Sequence, residues 1–143
     1  MTSKVESLYQ TLIMEHAKNP QNKGLSHDPK YCSCHLNNPS CGDEVTFEIF
    51  VEDGVIKDVK QEGQGCAISM ASASMVSDML QGLNVEEALN RVKDFYDVVQ
   101  GKEVEEEEKL GDALALRGVS QFPMRIKCAT LAWKVCETIL KDL

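Results

Sequence analysis

Apolar residues in the first half of the chain follow two different periods. Near the N-terminus they recur at the spacing of one helical face, at Val5, Leu8, Tyr9, Leu12 and Ile13, and the pattern stops before Pro20. Further along, every second residue from Val45 to Val51 is apolar, which predicts a strand with one buried face. A hairpin turn at Gly54 leads into a partner strand over residues 55–62, and a short strand over residues 31–36 precedes them. The pattern predicts a helix followed by a small antiparallel sheet.

The middle of the chain has helical periodicity instead. Residues 66–80 are rich in Ala, Ser and Met, so they predict a helix whose small residues permit close packing. Its methionines are typical of flexible core filler rather than of a soft-metal site. Asn84 with Glu87 resembles a capping box, and a second amphipathic helix is predicted over residues 85–99, ending before Gly101.

The C-terminal part combines a charged segment with a final helix. Like charges over residues 105–108 repel each other, so this run predicts a solvated loop, with docking of a basic partner as the alternative. Asp112 is a candidate cap for a short helix over residues 113–117, and a long helix starts at Pro123, because Pro fits the first turn of a helix. The predicted fold class is α+β, a small antiparallel sheet of about three strands covered by helices.

Length and charge narrow the classes of protein. A chain of 143 residues fits one domain, residues 1–143, which is large enough to bury a core without disulfides. The six cysteines are expected to be reduced and the protein cytoplasmic, because no secretory pattern precedes them. No apolar run approaches the roughly 20 residues of a membrane span. The net charge of -8 argues against nucleic acid as a partner, so proteins and ions are the expected partners.

Three cysteines far apart in the sequence lie where a side chain can be presented to a shared site. Cys41 belongs to a loop rich in Asn, Pro and Gly, residues 37–43, which can both aim a ligand and move it. Cys66 closes a strand and opens a helix, whose dipole favours the thiolate. Cys128 lies near the start of the last helix. With Asp43 they make a candidate four-ligand metal centre.

Three thiolates and one carboxylate suit a tetrahedral thiophilic ion such as zinc or iron. The chain has no Cys-x-x-Cys clip, so this centre would form only once the whole domain has folded. Oxygen binds such an ion less favourably than sulfur does, so Asp43 would make the centre exchangeable, with Cys41 as the ligand best able to leave. The alternative is that these are ordinary buried cysteines, and spacing alone does not decide between the two.

Four stretches of the chain together resemble one family. They are LYQTLIMEHAKNP, NNPSCGD, GQGCAISMASASM and FPMRIKC, and the family is the U-type iron-sulfur cluster assembly proteins, the IscU, NifU and SufU group. The chain is most similar to the SufU branch. Lys127 stands where the scaffold branch carries a histidine ligand, and an extra segment, residues 101–121, separates the second and third ligand regions.

The resemblance implies a SufE/NifU-like fold and a set of roles. It implies that Cys41, Asp43, Cys66 and Cys128 bind zinc, and that Cys41 receives sulfur from a cysteine desulfurase of the SufS type. It also implies a downstream iron-sulfur assembly complex as the recipient.

Several other residues are candidates for chemistry. Arg125 and Lys127 could offset the excess negative charge of such a centre. The alternative is that both are surface side chains on a solvated helix face. Cys32 and Cys34 share one face of a strand, but a structural or incidental role is expected for them and for Cys136. His16 is expected to pack or to lie at the surface. The one histidine close enough to the Cys41 loop to be tested is His35.

Three functions are compatible with these observations. The first is a zinc-dependent sulfurtransferase acting on a protein-bound persulfide, which is not a stand-alone metabolic enzyme and has no small-molecule pocket. The second is a scaffold that binds iron or a [2Fe-2S] cluster on the same four ligands, although the missing histidine weakens it. The third is a structural zinc domain that only binds proteins.

Overall fold

The computed structural model describes the backbone of residues 4–143 and the side chains from residue 7 onward. Three antiparallel strands form a sheet in the order β1-β2-β3. Their bounds are Cys32–Asn38 (β1), Asp43–Glu52 (β2) and Val55–Gln64 (β3). The predicted hairpin is confirmed, since β2 and β3 are joined by a tight turn at Asp53 and Gly54, both with positive φ.

Helices precede and follow the sheet. They span Lys4–Lys18 (α1), Ala67–Leu80 (α2), Val85–Val99 (α3) and Pro123–Lys141 (α4), and Glu107–Gln121 forms a 3₁₀ segment. In the described part of the chain, no helix has the length and apolar character needed to span a bilayer. The α+β prediction is confirmed. Val5, which belongs to the predicted apolar face of the first helix, lies outside the residues whose side chains are described.

The core lies between the sheet and the helices. Alternate residues of β2, Val45, Phe47 and Ile49, are fully buried, as the two-residue period predicts. Phe95 of α3 stacks on Trp133 of α4 with ring centroids 3.7 Å apart. Helices α2 and α4 pack on the strands and on each other, and α3 packs on α4, so β2, α2 and α4 meet in a fixed arrangement.

Two predictions for the C-terminal part were wrong. The short helix over residues 113–117 is instead a longer 3₁₀ segment, broken at Gly111, where the backbone is not helical. Asp112 is not used as a cap, because its carboxylate lies 2.9 Å from Nε2 of His16, whose Nδ1 lies 2.7 Å from the Ser74 hydroxyl. His16 therefore ties α1 to α2 and to the 3₁₀ segment.

The acidic run is also less free than expected. Its last two members begin the 3₁₀ segment, and Glu107 pairs with Arg117. Glu106 lies 3.0 Å from Lys109 and 4.0 Å from the buried Arg91 of α3. Ion pairs thus attach the run to the fold, in place of the solvated loop that repulsion alone predicts.

Candidate metal centre

The turn between β1 and β2 presents Cys41 to solvent. Asn38 and Asp43 are paired across the two strands, so four residues make the connection. The carbonyl of Asn38 accepts from the amides of Cys41 (3.3 Å) and Gly42 (2.9 Å), and its side-chain oxygen accepts from the amide of Ser40 (3.2 Å). Gly42 has φ 74°, a left-handed conformation that Gly adopts without strain. Cys41 is therefore exposed at the tip of a tight loop.

Asp43, the first residue of β2, is fully buried beneath this loop. Its Oδ1 accepts from the backbone amide of Cys66 at 2.8 Å, and its Oδ2 accepts from the Ser69 hydroxyl at 2.5 Å and the Cys41 thiol at 2.8 Å. Burial opposes ionisation of this carboxyl, but the hydrogen bonds outweigh burial and lower its pKa. The result is a buried carboxylate held by donors rather than by a cation.

Cys66 is the N-cap of α2. Its backbone is extended at φ -72° and ψ 166°, and its Sγ accepts from the amide of Ser69 at 3.5 Å. The sulfur thereby satisfies one of the amides that have no partner within the helix. The same Sγ lies 3.8 Å from Oδ2 of Asp43, so the helix start directs the thiol towards the carboxylate.

Cys128 lies in the second turn of α4 with 6% of its surface exposed. Its Sγ is 3.3 Å from the Sγ of Cys41, although 87 residues separate the two in sequence. Burial, followed by the neighbouring Asp43 and thiols, raises the pKa of Cys128 above its usual range. In the absence of a cation, this thiol keeps its proton.

One donor atom each from Cys41, Asp43 and Cys128 lie within 4.8 Å of one another. Cys66 borders this group without belonging to it. Around zinc, sulfur at about 2.3 Å and oxygen at about 2.1 Å in a tetrahedron are separated by about 3.6–3.8 Å. The observed contacts are 2.8, 3.3 and 3.8 Å, so the two that involve Cys41 are shorter than these values by about 0.5 to 0.8 Å, and an outward movement of Cys41 would admit an ion. The donor set fits zinc, and the four-ligand assignment stays a prediction.

The structure gives Arg125 and Lys127 no direct contact with these donors. Arg125 lies over the ring of Phe122, 4.4 Å from its centroid, and Lys127 is exposed. Within the described residues, neither side chain forms a hydrogen bond or ion pair with the three cysteines or Asp43. Hydrogen bonds lower the pKa of Asp43 against the effect of burial, with no contribution from either cation. The electrostatic role of Arg125 and Lys127 therefore stays a prediction.

The remaining cysteines and His35 lie elsewhere. Cys32 and Cys34 belong to β1, the first exposed and the second partly buried, and Cys136 of α4 is fully buried. Nδ1 of His35 lies 2.8 Å from the hydroxyl of its cross-strand neighbour Thr46. In the part of the chain that the structure describes, none of the four joins the cluster of donor atoms.

Two residues that position the donors are not assigned that role by the sequence. Ser69 belongs to the small-residue helix, which predicts only close packing, yet its hydroxyl reaches Asp43. Gly65 lies so close to Asp43 that a Cβ there would overlap the carboxylate. The spacing of Ser69, three residues after the helix-capping Cys66, is the signal that could have identified it.

The donor cluster opens directly to solvent. A surface groove of about 470 Å³ is lined by residues of α1, α2, the 3₁₀ segment and α4, including Ile13, Ile68 and Phe122. None of the four predicted ligands lines it. Solvent reaches the donors through the exposed Cys41 and Cys66 instead.

Comparison with known proteins gives a consistent result. A family model described as the NifU-like N terminal domain matches residues 8–129. The chain is 47% identical, over 93% of its length and 89% of the relative, to the zinc-dependent sulfurtransferase SufU of Bacillus subtilis (strain 168). It is 39% identical, over 97% of its length and 86% of the relative, to the iron-sulfur cluster assembly scaffold protein IscU of Streptococcus pyogenes serotype M1.

A solved structure has the same fold. It is a crystal structure of a proposed iron-sulfur cluster assembly scaffold protein for the SUF system from Fervidobacterium islandicum AW-1. The TM-score is 0.81 and the sequence identity 36%, over 94% of this chain and 98% of that one.

Proposed function

We propose, from the premise that this chain belongs to the NifU-like N-terminal domain family, that it is a zinc-dependent sulfur carrier for iron-sulfur cluster assembly. Family membership confirms the resemblance that the four sequence stretches indicate. The proposed donor of sulfur is the persulfide of a cysteine desulfurase, of the SufS type, and the recipient is a downstream iron-sulfur assembly complex.

The placement of Cys41 is the observation that carries this proposal. Cys41 lies at the exposed tip of a four-residue loop, whereas Asp43 and Cys128 are buried in β2 and α4, and Cys66, although exposed, is fixed as the N-cap of α2. Rotation of one short loop would expose the Cys41 thiol further without disturbing the core. A partner protein can therefore reach this sulfur while the other donors stay in place.

The donor set fits zinc, which would be held by Cys41, Asp43, Cys66 and Cys128. Zinc has no redox chemistry and, when bound, keeps its cysteine ligands deprotonated. A deprotonated sulfur is the species that attacks a disulfide-like bond. Bound zinc would thus keep Cys41 as a thiolate. Without a cation, burial and the neighbouring groups raise the pKa of Cys128, so that thiol stays neutral.

The transfer step conserves atoms and electrons. The Cys41 thiolate attacks the outer sulfur of the desulfurase persulfide, and a new S–S bond forms between Cys41 and that sulfur. The S–S bond within the desulfurase persulfide breaks, and the desulfurase cysteine leaves as a thiolate. One persulfide is exchanged for another, so no oxidant or reductant is consumed.

The test of the proposal is stimulation of the desulfurase by this protein. We expect the wild-type chain to raise the rate at which the desulfurase converts cysteine to alanine, because it removes the persulfide sulfur. Cys41→Ala should abolish the stimulation, and Cys32→Ala, which removes an exposed thiol of β1, should retain it. Equal stimulation by Cys41→Ala and wild type would show that Cys41 is not the acceptor and that sulfur transfer is wrongly assigned.

A scaffold for a [2Fe-2S] cluster is the second candidate. It is favoured by the names of the Streptococcus and Fervidobacterium relatives, which are both described as scaffold proteins. The exposed Lys127 precedes Cys128 and supplies no ligand, because a protonated amine has no lone pair. Protein purified from its own cells distinguishes the two: zinc without inorganic sulfide supports transfer, and iron with stoichiometric sulfide supports the scaffold.

A further inference from the structure

Ser69 touches three of the four predicted ligands. It lies on α2, three residues after the capping Cys66, and only 1% of its surface is exposed. Its hydroxyl oxygen is 2.5 Å from Oδ2 of Asp43, 3.2 Å from the carbonyl oxygen of Cys128 and 3.6 Å from Sγ of Cys66. The described contacts of its hydroxyl do not include Cys41.

The single proton of this hydroxyl goes to Asp43. A hydroxyl has one O–H to donate, and a charged acceptor at 2.5 Å is preferred over a neutral carbonyl at 3.2 Å. The bond occupies one lone pair of Oδ2. The amide of Cys66 occupies one lone pair of Oδ1 at 2.8 Å, so the plane of the Asp43 carboxylate is held at both ends.

One lone pair of Oδ2 then remains directed at the sulfur atoms. The Cys41 thiol donates to Oδ2 at 2.8 Å, and its Sγ lies 3.3 Å from that of Cys128. Metal binding removes the thiol proton. The lone pair of Asp43 Oδ2 that had accepted the Cys41 proton then becomes free, on the side that faces the cysteine sulfur atoms.

We propose that Ser69 is a positioning residue that holds Asp43 as a one-oxygen ligand, so that Asp43 stays in place when Cys41 leaves. The inference rests on the proposed function, since it concerns the same metal centre. It explains how Asp43 can stay when Cys41 moves: two of the three groups that donate to the Asp43 carboxylate, the Ser69 hydroxyl and the Cys66 amide, belong to the start of α2 and not to the Cys41 loop. Partners of this kind typically alter metal affinity about 10- to 100-fold when they are removed.

The experiment measures zinc affinity by competition with a chromophoric chelator. The full chain is compared with Ser69→Ala, Ser69→Thr, Asp43→Ala and the double variant Ser69→Ala/Asp43→Ala. Ser77→Ala is the matched control, because Ser77 is a buried serine of the same helix whose described hydroxyl contacts, with Gln21, Asn22 and Ser74, include no predicted ligand. Circular dichroism of each metal-free variant establishes that it is folded.

We expect Ser69→Ala to weaken zinc binding about 10- to 100-fold and Ser77→Ala to bind as the wild type does. The zinc affinity of Ser69→Thr, which keeps the hydroxyl, should lie close to that of the wild type. This comparison with the wild type decides the matter if the alanine variant does not fold. Because Ser69 acts through Asp43, the double variant should bind no more weakly than Asp43→Ala alone.

Two results would overturn the inference alone, with wild-type zinc binding intact. One is a Ser69→Ala affinity equal to that of Ser77→Ala, and the other is a double variant in which the two losses add in full. Failure of the wild-type chain to bind zinc would instead overturn the proposed function, and the inference with it.

Discussion

Asp43 is a buried carboxylate whose hydrogen-bond partners in the structure are all donors without formal charge. An isolated buried charge is costly, so its hydrogen bonds must replace the water that burial removes. The amide of Cys66, the Ser69 hydroxyl and the Cys41 thiol do so. A cation placed among these donors would add to the same stabilisation. These hydrogen bonds therefore hold Asp43 as an oriented carboxylate without a cation.

Gly65 makes the space that Asp43 occupies. A Cβ at this position would meet the Asp43 carboxylate, and the φ of 152° also disfavours other residues. Gly65→Ala should displace Asp43, weaken zinc binding and lower the free energy of unfolding by more than about 1 kcal/mol. Chelator competition and chemical denaturation measure the two effects.

Gly118→Ala is the control for this change. Gly118 is exposed, a methyl group added to its Cα would have no neighbouring atom within 4 Å, and its backbone does not need positive φ. Its substitution should change stability by no more than about 0.5 kcal/mol and leave zinc binding intact. Retention of wild-type zinc affinity by Gly65→Ala would show that the close approach to Asp43 does not matter for the metal.

At the scale of single residues, the sequence is informative where local chemistry decides. The loop residues around Cys41 and the helix start at Cys66 predict how those two thiols are presented, and the structure has Cys66 as the helix cap. The contact of Ser69 with Asp43 could not be predicted in the same way. It joins two residues 26 apart and depends on how α2 packs against β2.

Helices α2 and α4 carry Cys66 and Cys128, and a buried serine joins the two helices. The Ser72 hydroxyl donates to the carbonyl of Ala129 at 2.5 Å and accepts from the indole N–H of Trp133 at 2.8 Å. Both partners belong to α4. A polar contact inside an apolar interface fixes how the helices face each other, while the surrounding core keeps them packed.

Ser72→Ala should destabilise the metal-free protein by about 1–3 kcal/mol, because it leaves the buried indole N–H of Trp133 without an acceptor. Chemical denaturation followed by tryptophan fluorescence measures this loss, since Trp133 is the one tryptophan of the chain. Ser33→Ala on the exposed face of β1 serves as the control. Equal stability of the two variants would contradict the importance of this contact.

At the scale of elements, the sequence predicts the regular helices and strands and the helix caps, but it does not predict the 3₁₀ segment. The side chain of Asn84 accepts from the amide of Glu87 at 2.7 Å, and α4 begins at Pro123, as the sequence indicates. The segment Glu107–Gln121 has no comparable period, because 3₁₀ turns lack the extended amphipathic pattern of an α-helix. Its anchoring contact, between His16 and Asp112, spans 96 residues and cannot be read locally.

The whole molecule distributes its six cysteines unequally. Cys136 is fully buried, and burial raises its pKa well above the usual value, so it is a poor nucleophile. Cys32 is exposed, but it is remote from the donor cluster and from the dipole of α2. Cys41 combines exposure with a place in that cluster. Cys66 is also exposed, but it caps α2, so Cys41 is the exposed thiol of the candidate metal centre that lies on a loop.

The location of transferred sulfur tests the role of Cys41 most directly. The protein is incubated with its cognate desulfurase and cysteine, digested without reductant and mapped by mass spectrometry, alongside Cys41→Ala and Cys32→Ala. We predict one added sulfur on the peptide that contains Cys41, its loss in Cys41→Ala and its retention in Cys32→Ala. Added sulfur on another cysteine of the wild-type protein, with none on Cys41, would contradict the account.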